Sequence, residues 1–306
     1  MFTVTVPATT ANLGPGFDCV GAALNLYNSF TFRLTDADTQ IEIEGEEAGR
    51  VTQTKNNLVY QAFRDFFNHL GRPVPAVHVQ ITLGVPLSRG LGSSATAIIG
   101  GLVGANLLAG SPYTLEELLP LAIAREGHPD NVVPALLGGC RLAVGSEKSS
   151  TWVYPKISWH EAVVPIIAIP NFELSTEAAR QVLPQTCSYG DAIFNMSHLG
   201  LLIRGLELGQ ADWLTIALGD RLHQPYRKSL IKGYDAVAAA AKDAGAYGLV
   251  ISGAGPTLLA LGNQEQAPAI MAAMESAWQT MGVVAQVQTT SIANRGVLIS
   301  DERVLK

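Results

Sequence analysis

Charged residues are scarce in this sequence of 306 residues: Asp, Glu, Lys and Arg make up 15% of it, and apolar types make up 48%. The 26 acidic side chains outnumber the 20 basic ones, the net charge is −6, and no run of basic residues occurs. Such an apolar chain can bury a large core, which excludes disorder. Its negative balance argues against nucleic acid or an anionic membrane as a partner. An anionic substrate therefore has to be held by a few local cations.

Cysteine is also rare. The three cysteines, Cys19, Cys140 and Cys187, lie far apart and form no C-x-x-C pair, which is typical of a reducing compartment. The most apolar segment, residues 95–110, is shorter than the roughly 20 residues of a membrane span and contains Asn106. The N-terminus has no basic leader. We therefore expect a cytoplasmic protein without a signal peptide or a membrane partner.

Strand and helix patterns alternate along both halves of the chain. Residues 2–6 alternate as a strand that Pro7 closes, and residues 8–21 read as a loop. A helix follows from about Ser93 to Leu108. The polar segment 145–161 separates the two halves, so the pattern predicts two α+β domains, residues 1–155 and 156–306.

A second helix is predicted from Thr114 to Arg125, where Thr114 and Glu117 can form a capping box. Further along, the pattern predicts one helix over residues 228–245.

The stretch PLSRGLGSSATA, residues 86–97, is a glycine-rich turn that runs into a helix start, but it lacks the lysine of a Walker-type loop. Gly90 and Gly92 permit close approach of backbone N–H groups to a ligand, and the helix that opens at Ser93 and Ser94 favours an anion. The alternative is an ordinary strand–loop–helix connection with a serine N-cap.

The stretch REGHPDN, residues 125–131, places Glu126, His128, Asp130 and Asn131 together where Gly and Pro interrupt a helix. A carboxylate here can bind the divalent cation that a lysine-free loop would need to offset phosphate charge. The alternative is a solvated helix end followed by a turn.

Two more loops are dense in glycine: ATTANLGPGFD, residues 8–18, and SGAGPT, residues 252–257. The first exposes Asn12 and Asp18, as binding loops do, although tight turns with Asx caps share this composition. The second is equally typical of a plain hairpin turn between two buried strands.

Taken in this order, these four elements resemble the GHMP small-molecule kinases over essentially the whole chain. Within that family, TTANLGPGFD, EGHPDN, LSTEAAR (174–180) and HQPYR (223–227) are similar to the homoserine kinases. The resemblance implies transfer of the γ-phosphoryl group of ATP to the side-chain hydroxyl of L-homoserine on the route to threonine. Alternatives are another small-alcohol kinase, such as a mevalonate-type kinase, or a non-catalytic ligand sensor on the same fold.

The resemblance implies a nucleotide site with Mg²⁺. Ser94 and Glu126 match the metal-holding positions, and the implied catalytic residues are these two with Asp130 and Asn131. Asn57 and Leu58 match a segment that lines the adenine pocket. The residues implied to bind the triphosphate, mainly through backbone N–H groups, are Pro86, Ser88, Arg89, Gly90, Leu91, Gly92, Ser93, Ser94 and Ala95.

The resemblance also implies an amino-acid site. Arg180 and Arg227 match carboxylate-binding arginines, whose planar guanidinium offers paired donors. The other implied residues are Asp18 and Asp130 for the ammonium, Asn12 and Asn131 for the hydroxyl, and His128, Thr176, Gly253 and Gly255 around the substrate. Asp130 is either a general base or a ligand of the ammonium. In the second case no base is needed, because phosphoryl transfer has a loose transition state.

The implied fold has an N-terminal domain like the second domain of ribosomal protein S5, with a left-handed β-α-β crossover, and a ferredoxin-like C-terminal domain. The active site is expected in the cleft between them. Relatives are often homodimers, so a second copy of the chain is a possible partner besides ATP and L-homoserine.

Overall fold

The computed structural model describes residues 1–146 and 151–301, so residues 147–150 of the predicted boundary segment lie outside the described residues. The strands are β1 (Phe2–Ala11), β2 (Val20–Leu34), β3 (Gln40–Glu44), β4 (Val77–Thr82), β5 (Cys140–Leu142), β6 (Val144–Gly145), β7 (Trp152–Val153), β8 (Lys156–Ile157), β9 (Val164–Pro170), β10 (Gly248–Ile251), β11 (Leu258–Gly262), β12 (Ala285–Thr289) and β13 (Leu298–Asp301). The α-helices are α1 (Leu58–His69), α2 (Ser93–Leu108), α3 (Leu119–Glu126), α4 (Pro129–Leu137), α5 (Thr176–Gln181), α6 (Tyr189–Leu208), α7 (Ala211–Ala217), α8 (Gln224–Arg227), α9 (Tyr234–Asp243) and α10 (Ala267–Thr280).

The first sheet has the order β13-β1-β2-β4-β3, and β5 and β8 extend it beside β2. Strands β3 and β4 are parallel and are joined through α1, which forms a β-α-β unit. The apolar run at 95–110 lies largely in α2, where Gly100 and Gly104 face the rings of Phe30 and Phe32; a Cβ at either glycine would come within 2.3 Å of a ring carbon. The small residues therefore permit close packing of a core helix on the sheet.

The second sheet is antiparallel, with the order β10-β11-β9-β12. If the four strands are numbered by their order in the chain, their order in the sheet is 2-3-1-4. Helices α5–α9 connect β9 to β10, and α10 connects β11 to β12. This is the β-α-β-β-α-β arrangement of a ferredoxin-like domain. Helices α9 and α10 pack on it around Trp278 and Met274, which are fully buried. The predicted two-domain α+β class is confirmed.

Two strands of the first sheet come from beyond the predicted domain boundary. Strand β8 pairs with β5, and the last strand, β13, pairs with β1. The boundary between residues 155 and 156 stays a prediction. Because the chain returns to the first sheet, strands from both halves of the chain are hydrogen-bonded in that sheet. No helix in the described ranges is long and apolar enough to cross a membrane.

The prediction that Pro7 closes the first strand is wrong. Strand β1 continues to Ala11, and the register of its pairing with β2 shifts between Pro7 and Ala8. Proline lacks an N–H group and is tolerated within a sheet at such an irregularity. The loop predicted over residues 8–21 shrinks to residues 12–19, so Thr9 and Thr10 lie inside the sheet rather than on a surface loop.

The helix predicted over residues 114–125 is shorter than expected. The capping box forms, because the backbone N–H and hydroxyl of Thr114 donate to Glu117 at 2.7 and 2.8 Å, but a 3₁₀ turn precedes α3. Helix α4 was not predicted. Pro129 occupies its first turn, where a missing N–H costs nothing, so this proline starts a helix rather than only ending one.

The single helix predicted over residues 228–245 is also divided. A 3₁₀ turn occupies Lys228–Leu230, and α9 begins only after Gly233, whose φ is +78°. A left-handed residue interrupts the helical hydrogen-bond ladder.

Candidate active site

The four motif loops meet at one cleft of about 580 Å³, called the polar cleft below. It lies where the first sheet, the start of α2 and α4, and the β10–β11 turn come together. Its lining is Asn12, Asp18, Ser88, Gly90, Gly92, Ser93, Ser94, Glu126, His128, Asp130, Asn131, Leu174, Thr176, Arg180, Arg227, Gly253, Ala254 and Gly255. Sixteen of these eighteen positions are predicted site residues, and the other two are Leu174 and Ala254.

The glycine-rich loop between β4 and α2 depends on two glycines. Gly90 and Gly92 have φ of +75° and +66°, a backbone region that L side chains rarely adopt. A Cβ at Gly90 would lie 2.3 Å from the carbonyl oxygen of Ser252, and one at Gly92 would lie 1.9 Å from Oγ1 of Thr9. The loop therefore has to carry glycine to reach its neighbours.

The SGAGPT turn holds this loop in place. The hydroxyl of Ser252 donates to the carbonyl oxygen of Gly90 at 2.7 Å, and the N–H of Thr257 donates to that of Arg89 at 3.2 Å. The N–H of Gly253 donates to Ala11 at 3.1 Å, at the end of β1. The C-terminal turn thus fixes the loop that leads into α2.

Helix α2 begins beside the cleft without a side-chain cap, because its N-cap residue is Gly92. The unpaired N–H groups of its first turn and the positive end of its dipole favour an anion. Ser93 and Ser94 also line the cleft and add two hydroxyl groups. This arrangement can hold a phosphate without a lysine.

Ser94 and Glu126 are in direct contact, since the hydroxyl of Ser94 donates to Oε2 of Glu126 at 2.8 Å. Burial raises the pKa of Glu126, and the negative charge of Asp130 adds to this, whereas the Ser94 hydrogen bond and the charge of His128 oppose it. A desolvated carboxylate beside a hydroxyl oxygen is a donor set that suits a hard divalent cation. The two residues fit Mg²⁺, which would neutralise the carboxylate.

Asp130 is the centre of a buried polar network. Its Oδ1 lies 2.5 Å from Nδ1 of His128 and accepts from Nδ2 of Asn131 at 3.1 Å. The hydroxyl of Thr9 donates to Oδ1 of Asn131 at 2.7 Å, which fixes the amide so that its NH₂ group faces Asp130. Burial lowers the pKa of His128, but the hydrogen bond and charge of Asp130, aided by Glu126 and Asp18, raise it overall.

The two predicted carboxylate-binding arginines both line the cleft, but they differ in their hydrogen-bond partners and in their burial. Arg180 donates two hydrogen bonds to the carboxylate of Asp18, at 2.9 and 3.0 Å, and this pairing raises the pKa of Arg180. Arg227 is 2% exposed and donates to the carbonyl oxygens of Ala179 and Gly253. Burial lowers the pKa of Arg227, and the nearby charge of Arg180 adds to this.

The acidic side of the cleft is compact. One ligand atom each from Asp18, His128 and Asp130 lies within 4.8 Å of the others. Asp18 is already paired with Arg180, and Asp130 with His128, so these carboxylates are held in defined positions. Two such carboxylates can share the three N–H donors of an ammonium group.

A second, more apolar cleft of about 780 Å³ adjoins the polar cleft and shares Ser88, Ser93 and Ser94 with it. Its lining includes Asn57 and Leu58, whose place in an adenine pocket stays a prediction. The side chain of Asn57 is engaged in the fold, because its Oδ1 caps α1 by accepting from Val59 and its Nδ2 donates to Thr52.

Four residues predicted to bind the nucleotide lie outside both clefts. Leu91 and Ala95 are fully buried in the core. Pro86 and Arg89 line a separate cleft between the domains, and the guanidinium of Arg89 donates to the carbonyl oxygens of Pro170 and Leu87. Adjacent residues of a tight loop point in different directions, so membership of the motif does not bring every side chain to the ligand.

Several residues at this site were not predicted from the sequence. Leu174 and Ala254 line the polar cleft within motifs that were recognised. Thr9 orients Asn131, and the ring of Phe17 lies under the two arginines. Both belong to the ATTANLGPGFD motif, but nothing in their spacing indicates contacts with residues more than a hundred positions away.

We expect Gly92→Ala to lower the free energy of unfolding by roughly 2–4 kcal/mol, because the new Cβ would collide with Thr9 and strain the backbone. Gly71→Ala is the matched control: its φ is +63°, and apart from its chain neighbours no residue of the described ranges has an atom within 4 Å of the Cβ position. Urea unfolding of both variants separates backbone strain from the collision. Equal losses in the two variants would contradict the tight contact between the loop and β1.

Comparisons with known proteins show which sequences this chain resembles. Residues 57–139 match the sequence model of the GHMP kinases N terminal domain, and residues 197–280 match that of the GHMP kinases C terminal. The homoserine kinase of Thermosynechococcus vestitus is 61% identical over 298 residues, which cover 97% of this chain and 98% of that protein. The homoserine kinase of Crocosphaera subtropica is 58% identical over 301 residues, 97% of each chain.

Solved structures of other proteins have the same fold as this chain. A homoserine kinase from Cytophaga hutchinsonii superposes with a TM-score of 0.87 at 30% identity and covers 98% of this chain and 97% of its own. A mevalonate kinase of L. major, crystallised with R-mevalonate, gives a TM-score of 0.70 at 16% identity and covers 94% of this chain and 95% of its own. At that identity the likeness concerns the fold alone.

Proposed function

The chain belongs to the GHMP kinase family, and we propose that within this family it acts as a homoserine kinase. It transfers the γ-phosphoryl group of ATP to the side-chain hydroxyl of L-homoserine and forms O-phospho-L-homoserine, a step of threonine biosynthesis. ATP with Mg²⁺ is the phosphoryl donor, as in other homoserine kinases. The full-length identity to homoserine kinases supports this activity over other small-alcohol kinases.

The observation that carries the substrate assignment is the charge pattern of the polar cleft. Arg180 and Arg227 offer donors for a carboxylate, while Asp18 and Asp130 offer acceptors for an ammonium. An α-amino acid supplies both groups on one carbon. When the substrate binds, its carboxylate takes the place of Asp18 beside Arg180, and its ammonium takes the place of Arg180 beside Asp18. Neither side chain is therefore left without a partner of opposite charge. A ligand with one charge leaves its counterpart uncompensated, which costs roughly 1–3 kcal/mol.

Phosphates belong at the start of α2 and the adenine in the apolar cleft. The two sites share three serines, so one nucleotide can occupy both. Backbone N–H groups of residues 90–94 cradle the phosphates, and Ser94 with Glu126 would hold Mg²⁺, which supplies positive charge to the transferring group. The hydroxyl of homoserine is oriented by Asn12 and Asn131.

We assign Asp130 to the ammonium rather than to proton abstraction. Its carboxylate is already held in place by His128 and Asn131, as expected of a group that positions a cationic ligand. Positioning and charge stabilisation carry most of the rate in phosphoryl transfer, so the hydroxyl can lose its proton late.

The proposal is tested by ADP release in the presence of Mg²⁺ with three acceptors: L-homoserine, mevalonate and shikimate. We expect turnover with L-homoserine alone. Turnover of mevalonate alone would identify a mevalonate-type kinase, and inactivity with all three would favour a non-catalytic sensor. We propose in addition a cytoplasmic location and a homodimer, without a nucleic-acid partner.

A further inference from the structure

Phe17 lies at the point where both arginines of the amino-acid site converge. The guanidinium carbon of Arg227 lies 5.0 Å from the centroid of its ring, and that of Arg180 lies 5.9 Å away. Both distances are within the range of cation–π attraction. The half-buried ring therefore contacts two cations that reach it from α5 and α8, at separate places in the chain.

The ring itself is held from the side of the HQPYR motif. His223, which is fully buried, stacks on Phe17 with centroids 5.0 Å apart and planes 19° apart. Its Nε2–H donates to the carbonyl oxygen of Gly14 at 2.9 Å. Burial lowers the pKa of His223 against the opposing charge of Asp220, which favours a neutral imidazole over a third cation beside the ring. Phe17 is thus fixed to its own loop and to α8 together.

The arginines need such support because they repel each other. Arg180 is partly neutralised by Asp18, whereas Arg227, within the described part of the chain, donates its hydrogen bonds to carbonyl groups. An aromatic face attracts both cations without occupying their N–H donors. Arg180 can therefore exchange its Asp18 partner for a carboxylate in the cleft while it stays against the ring.

We propose that Phe17 is a positioning residue that holds Arg180 and Arg227 together as the carboxylate-binding pair. The inference rests on the proposed function, since it concerns the carboxylate of the amino-acid substrate. Phe17 does not line the polar cleft, so it acts through the arginines rather than by touching the substrate.

The test is Phe17→Leu, which keeps an apolar side chain and removes the aromatic face, with Phe17→Tyr as the control that keeps the face. For Phe17→Leu we expect KM for L-homoserine to rise about five- to thirtyfold, with kcat and KM for ATP within about twofold of the wild type. For Phe17→Tyr we expect a KM for L-homoserine close to that of the wild type. In an Arg180→Leu background the effect of Phe17→Leu should shrink by at least about half, because coupled residues are non-additive.

An unchanged KM for homoserine, equal rises in both KM values, or a tyrosine variant no better than the leucine variant would each overturn the inference. If Phe17→Leu does not fold, Phe17→Met provides the same comparison with a more adaptable side chain. A wild-type enzyme inert toward homoserine would instead refute the proposed function. Wild-type turnover with an unaffected leucine variant refutes only the role of Phe17.

Discussion

Arg180→Leu is expected to raise KM for L-homoserine by roughly 30- to 1000-fold while KM for ATP changes less than about threefold. In the proposed complex the substitution removes two charge-assisted hydrogen bonds to the substrate carboxylate, each worth about 1.5–3 kcal/mol, and other contacts offset part of this loss. It also leaves the carboxylate of Asp18 without its partner. Initial rates over a grid of both substrate concentrations separate the two KM values.

Two controls sharpen this prediction. Arg180→Lys keeps the charge but loses the planar fork, so its KM for homoserine should lie between those of the wild type and the leucine variant. Arg221→Leu removes an arginine that pairs with Asp191 and stacks on Phe194 outside the polar cleft, and it should leave both KM values unchanged. Parallel rises in the two KM values of Arg180→Leu would remove Arg180 from the amino-acid site.

Glu126→Gln is expected to lower kcat about 10²- to 10³-fold and to raise the Mg²⁺ concentration that gives half-maximal rate. The amide keeps the size of the side chain and can still accept from Ser94, but it lacks the charge that a divalent cation requires. A bound metal ion stabilises transferring phosphoryl groups by several kcal/mol, and about 3–4 kcal/mol corresponds to this loss of rate.

The matched control is Glu117→Gln, a fully exposed carboxylate that caps the helical segment before α3 and is replaceable by glutamine in a capping box. Its Mg²⁺ titration should coincide with that of the wild type. A Glu126→Gln enzyme with the wild-type response to Mg²⁺ would exclude Glu126 as a metal ligand.

Much of the site follows from sequence because its geometry is local. Gly90 and Gly92 are recognisable by their spacing before an apolar helix, and the structure gives both the left-handed backbone that only glycine adopts easily. Arg180 and Arg227 could not be derived in this way. A single arginine on a short helix is ordinarily solvated, and only the resemblance of their motifs to a kinase family indicated that both turn toward the cleft.

The contacts that organise the site could not be predicted, because they join distant parts of the chain. Asp18 and Arg180 are 162 residues apart, and Thr9 and Asn131 are 122 apart. Local rules also misled at two prolines: Pro7 lies at an irregularity within a continuing strand, and Pro129 starts a helix. Both errors concern segments that carry site residues, so the placement of Thr9 and Asp130 depended on tertiary structure.

The most direct test of the account is identification of the phosphorylated product by ³¹P NMR after incubation with L-homoserine and MgATP. The account predicts a phosphate monoester on the side-chain oxygen, with its phosphorus coupled to the protons of the adjacent CH₂ group. An acyl phosphate on the carboxylate would contradict the orientation in which Arg180 and Arg227 bind that group. ATP hydrolysis to inorganic phosphate without a monoester would contradict the activity itself.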